Sequence, residues 1–219
     1  MQLSEIEKPQ VHDLLQIDPD SLNPGCTGAP SWVKRTLRSG PWVVVRRAQA
    51  PFGRVAVGVR GDTRNKRWGG FFEESLVSRV VRPAELRVLG RSPTRTPALR
   101  ALPEVIERWR GFTLPWGPTG SVGFELASGR EVTTEVSDLD IAIFALDRIS
   151  VEHARFLWER VIGLQTNVDV RVETPECGFL LQEYACTSTG RILLRYPDGL
   201  IMFGDDPWSE RPRTAVSAS

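Results

Sequence analysis

Several short segments are apolar and rich in β-branched residues, and polar or turn-forming residues bound them, which is typical of β-strands. Residues 42–45 and 54–59 are two such segments, and the turn-forming residues 50–53 lie between them. This arrangement predicts an antiparallel hairpin in the first part of the chain. Further strands are predicted in the second part, at residues 138–144, 168–172, 191–196 and 200–203.

Other segments show the spacing of three and four residues that is typical of amphipathic helices. Thr96 and Pro97 form a suitable N-cap and first-turn pair, Pro103 should interrupt or restart that helix, and Gly111 should end it. Ser150 is expected to cap a helix that runs to about residue 162. Shorter helices are predicted at 83–86, at 122–127 before Gly129, and from 174–176 onward.

The order of these elements predicts an α+β protein. Strands and helices alternate in the second part, which favours a mixed sheet with flanking helices, preceded by a smaller β-rich domain. We expect the N-terminal domain at residues 1–92 and a catalytic domain at 93–208. The polar segment 209–219 is expected to be a disordered tail.

Composition narrows the class of partner. The 219 residues carry a formal net charge of +1, which gives no general attraction to nucleic acid. The chain has three cysteines without a CxxC pair, as expected for reduced thiols in the cytoplasm. No apolar segment is long enough to cross a membrane, so no membrane partner is expected.

Three carboxylates suggest a metal site. Asp138 and Asp140 lie two residues apart on a predicted strand, so both side chains point to the same face. Two adjacent carboxylates repel each other unless a cation lies between them. Asp169 occupies a similar position on a later strand, and the three residues together could bind Mg²⁺, with two ions expected. A DxD pair considered alone is more typical of a solvated strand end.

Two other features could bind phosphate. Gly120 and Ser121 open a predicted helix, whose first N–H groups attract anions. A basic segment farther upstream could contact the phosphates of a ligand or an acidic protein partner, or could be only a solvated face; its residues are Arg60, Arg64, Lys66 and Arg67. Glu125 is as compatible with a surface position on the helix as with a role in the site, and His12 is more typical of a structural histidine than of a catalyst.

The Gly120-Ser121 pair, the Asp138-Leu139-Asp140 motif and the later Asp169 together resemble the nucleotidyltransferase superfamily. The resemblance implies that the Gly-Ser turn holds the donor's phosphates and that the three acids hold two Mg²⁺ ions. The gap of 16 residues between Ser121 and Asp138 is longer than the usual form of the motif.

A more specific resemblance covers nearly the whole chain and depends above all on the long segment 116–129, with 11–15, 57–61, 97–99 and 137–140. These residues resemble the phosphoribosyl-dephospho-CoA transferase of malonate decarboxylase, also called its holo-acyl-carrier-protein synthase. That family implies transfer of triphosphoribosyl-dephospho-CoA to a serine of the apo acyl-carrier subunit, with release of pyrophosphate. Two alternatives remain at this stage, namely a nucleotidyltransferase with another small-molecule, protein or RNA acceptor, and a non-catalytic nucleotide-binding module.

Overall fold

The computed structural model describes residues 8–18, 28–61, 66–89 and 94–211 and confirms the α+β class. The strands are β1 (Leu14–Ile17), β2 (Trp42–Val45), β3 (Arg54–Arg60), β4 (Arg67–Glu73), β5 (Val77–Val81), β6 (Trp116–Pro118), β7 (Leu139–Phe144), β8 (Val168–Glu173), β9 (Gly178–Leu180), β10 (Ile192–Arg195) and β11 (Ile201–Gly204). The helices are α1 (Ser31–Ser39), α2 (Pro83–Leu89), α3 (Pro97–Arg108), α4 (Gly120–Ser128), α5 (Val151–Glu159) and α6 (Leu181–Cys186), and a 3-10 turn spans Glu74–Leu76.

The first five strands form an antiparallel N-terminal sheet in the order β4-β3-β2-β1-β5. The predicted pairing of β2 with β3 is confirmed, with Val45 opposite Val57. The basic segment that was expected to be a loop is partly strand, because Arg60 ends β3 and Arg67, its register partner, begins β4. Arg64 lies outside the described residues. Valine and leucine side chains from β1, β2 and β3 pack with α1 in the core of this sheet.

The remaining strands form a mixed C-terminal sheet in the order β11-β10-β9-β8-β7-β6. Only β7 and β8 pair in parallel among the described strands of this sheet, and helix α5 makes the crossover between them. Apolar side chains of β7 and β8 fill one face, where α3 and α5 cover them; they are Leu139, Ile141, Ile143, Val168, Val170 and Val172. The alternate residues of both strands therefore point to the opposite face.

The helix caps follow the sequence closely. The Thr96 side chain accepts a hydrogen bond from the backbone of Leu99, and Ser150 accepts one from His153, as expected for N-caps. Gly129 ends α4 with φ 69°, the left-handed conformation that favours glycine. No described helix combines the length and the apolar character needed to span a membrane.

Two helix predictions were wrong. Helix α3 continues through Pro103, because burial of Leu99, Leu102 and Val105 stabilises it by more than the roughly 3 kcal/mol that an interior proline costs. No helix begins at Thr174. Its hydroxyl instead accepts hydrogen bonds from the Glu176 and Cys177 backbones, and this turn returns the chain as β9.

The N-terminal sheet is connected to the C-terminal sheet through α2, which packs directly on the edge strand β6. A Cβ atom at Gly117 would lie 1.8 Å from the backbone oxygen of Pro83, so only glycine allows this approach. The close contact places the N-terminal sheet beside the polar face of β7 and β8, where the candidate site lies.

Candidate active site

The parallel pairing of β7 with β8 brings the predicted acids together. Asp140 is the register partner of Asp169, and Asp138 precedes Asp140 by two residues on the same face. Asp138 and Asp140 are half-buried, whereas Asp169 is exposed. Asp138, Asp140 and Asp169, the outer two of which are 31 positions apart in the chain, thus form one acidic group on the sheet.

The environment of Asp140 is unfavourable for its negative charge. Burial raises the pKa of Asp140 above its ordinary value, and the charges of Asp169 and Asp138 raise it further. Arg171 and His12 act in the opposite direction on the same pKa, but their effect is smaller. A cation bound among these carboxylates would therefore be favourable.

The start of α4 lies directly against Asp140. The backbone N–H of Thr119 donates to the Asp140 carbonyl oxygen at 2.8 Å. Gly120 has φ 57°, and a Cβ atom there would lie 1.9 Å from Oδ2 of Asp140, so both conformation and space require glycine. Ser121 is 8% exposed in the first turn. The free N–H groups of the helix start thus lie beside the acidic group, where they could bind an anion.

Glu125 anchors the loop that leads to Asp138, a role that the sequence did not reveal. Its carboxylate accepts hydrogen bonds from the backbone N–H groups of Val132 and Thr133, from the Thr133 hydroxyl and from Arg95. Burial alone would raise the pKa of Glu125, but the bonds from Thr133 and Arg95 together hold it below its ordinary value. Glu125 is therefore a buried structural anion and not a surface residue.

The same face of β8 continues from Asp169 to Arg171 and Glu173. Glu173 is 7% exposed; it forms an ion pair with Arg47 and a hydrogen bond with His12, both from the N-terminal part. A Cβ atom at Gly178, the neighbour of Glu173 on β9, would lie 2.7 Å from Nη2 of Arg47. Glycine at this position leaves the room that the guanidinium needs to reach Glu173.

His12 enters the site in a strained conformation. Its φ of 75° makes it the one non-glycine residue with positive φ among those described. Burial, Arg47 and Arg171 lower the pKa of His12 to about 4, so the ring is neutral near pH 7. Since the Glu173 carboxylate can only accept, Nε2–H of His12 is the donor of their 2.8 Å hydrogen bond.

Arg60 and Arg67 of the predicted basic segment are register partners on the N-terminal sheet. Arg46, next to Arg47, donates its backbone N–H to Ala56, and Arg60 follows Ala56 by four residues on β3, or roughly 13 Å. Arg47 and Arg171 are instead the basic residues whose charges act on the pKa of His12. Neither was identified from the sequence, where Arg47 and Arg171 look like ordinary strand residues.

The three aspartates fit a hard divalent cation by their chemistry, because carboxylate oxygens are the ligands that Mg²⁺ prefers. Repulsion at Asp140 is the structural observation that supports such an ion. In residues 8–18, 28–61, 66–89 and 94–211, however, no three His, Cys, Asp or Glu side chains are placed closely enough to ligate one metal ion. The site thus offers the donor atoms without a closed ligand shell.

Two neighbouring residues should give opposite pH dependence of stability. Burial raises the pKa of Asp13 from 3.8 to about 6, so the folded protein holds this proton more tightly and the Asp13 contribution falls as pH rises through 6. The pKa of His12 falls from 6.5 to about 4, so its contribution is lost as pH decreases from 6.5 to 4.

As pH rises from 4 to neutral, we therefore expect the free energy of unfolding of Asp13→Asn to increase relative to that of wild type by up to about 3 kcal/mol. Over the same rise in pH, the free energy of unfolding of His12→Gln should decrease relative to that of wild type by a similar amount. Urea unfolding of both variants and wild type at each pH measures the two slopes. Slopes of the same sign would contradict the assignment.

Comparison with known proteins identifies the family. The model of the phosphoribosyl-dephospho-CoA transferase MdcG C-terminal domain matches residues 85–206, and the model of its N-terminal domain matches residues 10–83. No solved structure gives a significant match to the chain.

Relatives named phosphoribosyl-dephospho-CoA transferase match along nearly the whole length. The protein of Pseudomonas putida is 40% identical over 205 residues, covering 94% of this chain and 98% of the relative. The protein of Azotobacter vinelandii is 37% identical over 207 residues, covering 92% of this chain and 95% of the relative. The chain therefore belongs to the phosphoribosyl-dephospho-CoA transferase family and is a transferase enzyme.

Proposed function

We propose that this chain transfers 2′-(5″-triphosphoribosyl)-3′-dephospho-CoA to a serine of the apo acyl-carrier subunit of malonate decarboxylase and releases pyrophosphate. The observation that carries the proposal is the position of Gly120 against Asp140. It puts an anion-binding helix start next to three carboxylates, as a metal-dependent phosphoryl or nucleotidyl transfer requires. The cytoplasm as the place of action stays a prediction from the cysteine content.

The residues of the site have distinct parts in this proposal. The N–H groups of Gly120 and Ser121 would bind the terminal phosphates of the donor, which become the leaving pyrophosphate. Asp169 is the exposed acid of the group, so an incoming serine could reach it. A carboxylate oxygen of Asp169 would accept the serine proton while the serine oxygen attacks the α-phosphate.

Mg²⁺ is the proposed cofactor, and two ions are expected. Asp138, Asp140 and Asp169 would hold it, and when bound it supplies positive charge to the phosphate oxygens. Asp140 contributes most directly, because its carboxylate also contacts the helix start that binds the phosphates. The acidic group would then bind the metal ion, and the N-terminus of the helix would bind the phosphates that the ion contacts.

The decisive experiment measures the mass of the acceptor. Purified enzyme, apo carrier, donor and Mg²⁺ are incubated, and intact masses of both proteins are recorded with the pyrophosphate released. We expect a mass gain on the carrier alone, with one pyrophosphate for each carrier modified. A carrier whose acceptor serine is replaced by alanine should gain no mass. Labelling of this chain itself, or of the serine-less carrier, would refute the acceptor.

Loss of the paired carboxylates should abolish transfer without unfolding. Asp138→Asn and Asp140→Asn preserve side-chain volume and relieve repulsion at the acidic group, so neither should lower the melting temperature. Transfer should fall at least about 100-fold, since each carboxylate supports charge at the reacting phosphate. Asp147→Asn, at an exposed turn after β7, is the control and should retain activity. Full activity in EDTA would contradict the metal proposal.

Gly120 and Gly129 allow the steric and conformational effects of a methyl group to be separated. Both have positive φ, but only at Gly120 would a Cβ atom meet Asp140, whereas nothing lies within 4 Å of one at Gly129. Gly120→Ala should reduce transfer at least about tenfold, because Asp140 must move. Gly129→Ala should cost about 1 kcal/mol of stability and leave kcat unchanged. Equal kcat in the two variants would exclude a catalytic role for the close contact.

A further inference from the structure

Arg171 lies on the polar face of β8, between Asp169 and Glu173. It follows Asp169 by two residues on β8, so its side chain points to the same face about 7 Å farther along the strand. Its register partner is Ala142, which adds no charge. Among the described residues, no hydrogen bond or ion pair to the Arg171 guanidinium is present, although the residue is half-buried.

The charges around Arg171 show where its guanidinium acts. It lowers the pKa of Asp140 on one side and the pKa of both His12 and Arg47 on the other. The strand geometry agrees, because Arg171 lies between Asp169 and Glu173 on one face of β8, and Glu173 contacts Arg47 and His12. Arg47 forms an ion pair with Glu173, whereas Arg171 forms none among the described residues and faces the like charge of Arg47.

An anion is the ligand that this arrangement favours. The planar guanidinium matches two oxygens of a phosphate, and a bound phosphate would relieve the repulsion between the two arginines. The start of α4 contacts Asp140 from the side of β6, and Arg171 approaches from the side of β8. A phosphate chain over Asp140 would thus meet positive potential at both flanks.

We propose that Arg171 binds a phosphate oxygen of the donor's triphosphate from the β8 side, opposite the start of α4. This inference rests on the proposed function for the identity of the donor, but the anion site itself can be tested without turnover. Glu173 has a positioning role here. It holds Arg47 and His12, so Arg47 stays at Glu173 and Arg171 is left to bind the anion.

The test compares two arginines of the same sheet face. Arg195 on β10 is the register partner of Gly178 on β9, which is in turn the register partner of Glu173 on β8. Arg195 therefore lies two strands away from β8, level with Glu173 and not with Arg171. Like Arg171 it is half-buried. Arg171→Gln and Arg195→Gln therefore remove equal charge from matched environments, and Arg171→Lys retains the charge without the planar fork.

Binding of inorganic pyrophosphate in the presence of Mg²⁺ is measured by calorimetry, and the donor KM is measured with the carrier saturating. Arg171→Gln should raise the pyrophosphate Kd and the donor KM at least about tenfold, with Arg171→Lys intermediate. Arg195→Gln should change both by less than about twofold. The inference is overturned if wild type does not bind pyrophosphate, if Arg171→Gln binds it as wild type does, or if both glutamine variants lose it equally.

The outcomes also separate this inference from the proposed function. If the enzyme modifies the carrier and Arg171→Gln has wild-type constants, the function stands and the Arg171 assignment is wrong. If pyrophosphate binding depends on Arg171 but the carrier gains no mass, the anion site stands and the proposed acceptor is wrong. A melting curve for each variant confirms that the folded protein is being measured.

Discussion

The charges on one face of the parallel pair β7–β8 are the constraint on which the rest of the structure depends. Parallel strands are normally covered on both faces and carry apolar residues on both. Here the second face carries the acidic group, Arg171 and Glu173. Each charge that is removed from water needs a partner, because an uncompensated buried charge is strongly destabilising. The elements around this face supply those partners.

The compensation comes from two directions. On the side of β6, the start of α4 lies against Asp140, and its N–H groups bring positive potential to the acidic group. On the side of β9, Arg47 and His12 cross from the N-terminal part to Glu173. The N-terminal sheet is thus part of the electrostatic environment of the site. A change in its position would move His12, which is among the groups that lower the pKa of Asp140.

Two close contacts at the site are possible because the residue is glycine. Gly120 lets the helix start touch Asp140, and Gly178 leaves room for Arg47 beside Glu173. His12 accepts a left-handed conformation that a side chain rarely adopts, and its hydrogen bond to Glu173 helps to hold it there. Strain of this kind persists only where surrounding contacts fix the conformation, and Glu173, held by Arg47, provides such a contact to His12.

Local patterns in the sequence determined the strands β2, β3, β7 and β8 and the caps Thr96 and Ser150. They also placed Asp138 and Asp140 on one face. Periodicity and capping depend on neighbours in the chain, so the sequence is enough to predict them.

The tertiary structure alone decided that α3 passes through Pro103, because burial outweighed local propensity. It also decided which residues complete the site. Glu125, His12, Arg47 and Arg171 have no distinguishing local pattern, and their roles arise from partners as distant as 161 positions in the chain. Electrostatic compensation acts through space, so the sequence could show the acids but not the residues that surround them.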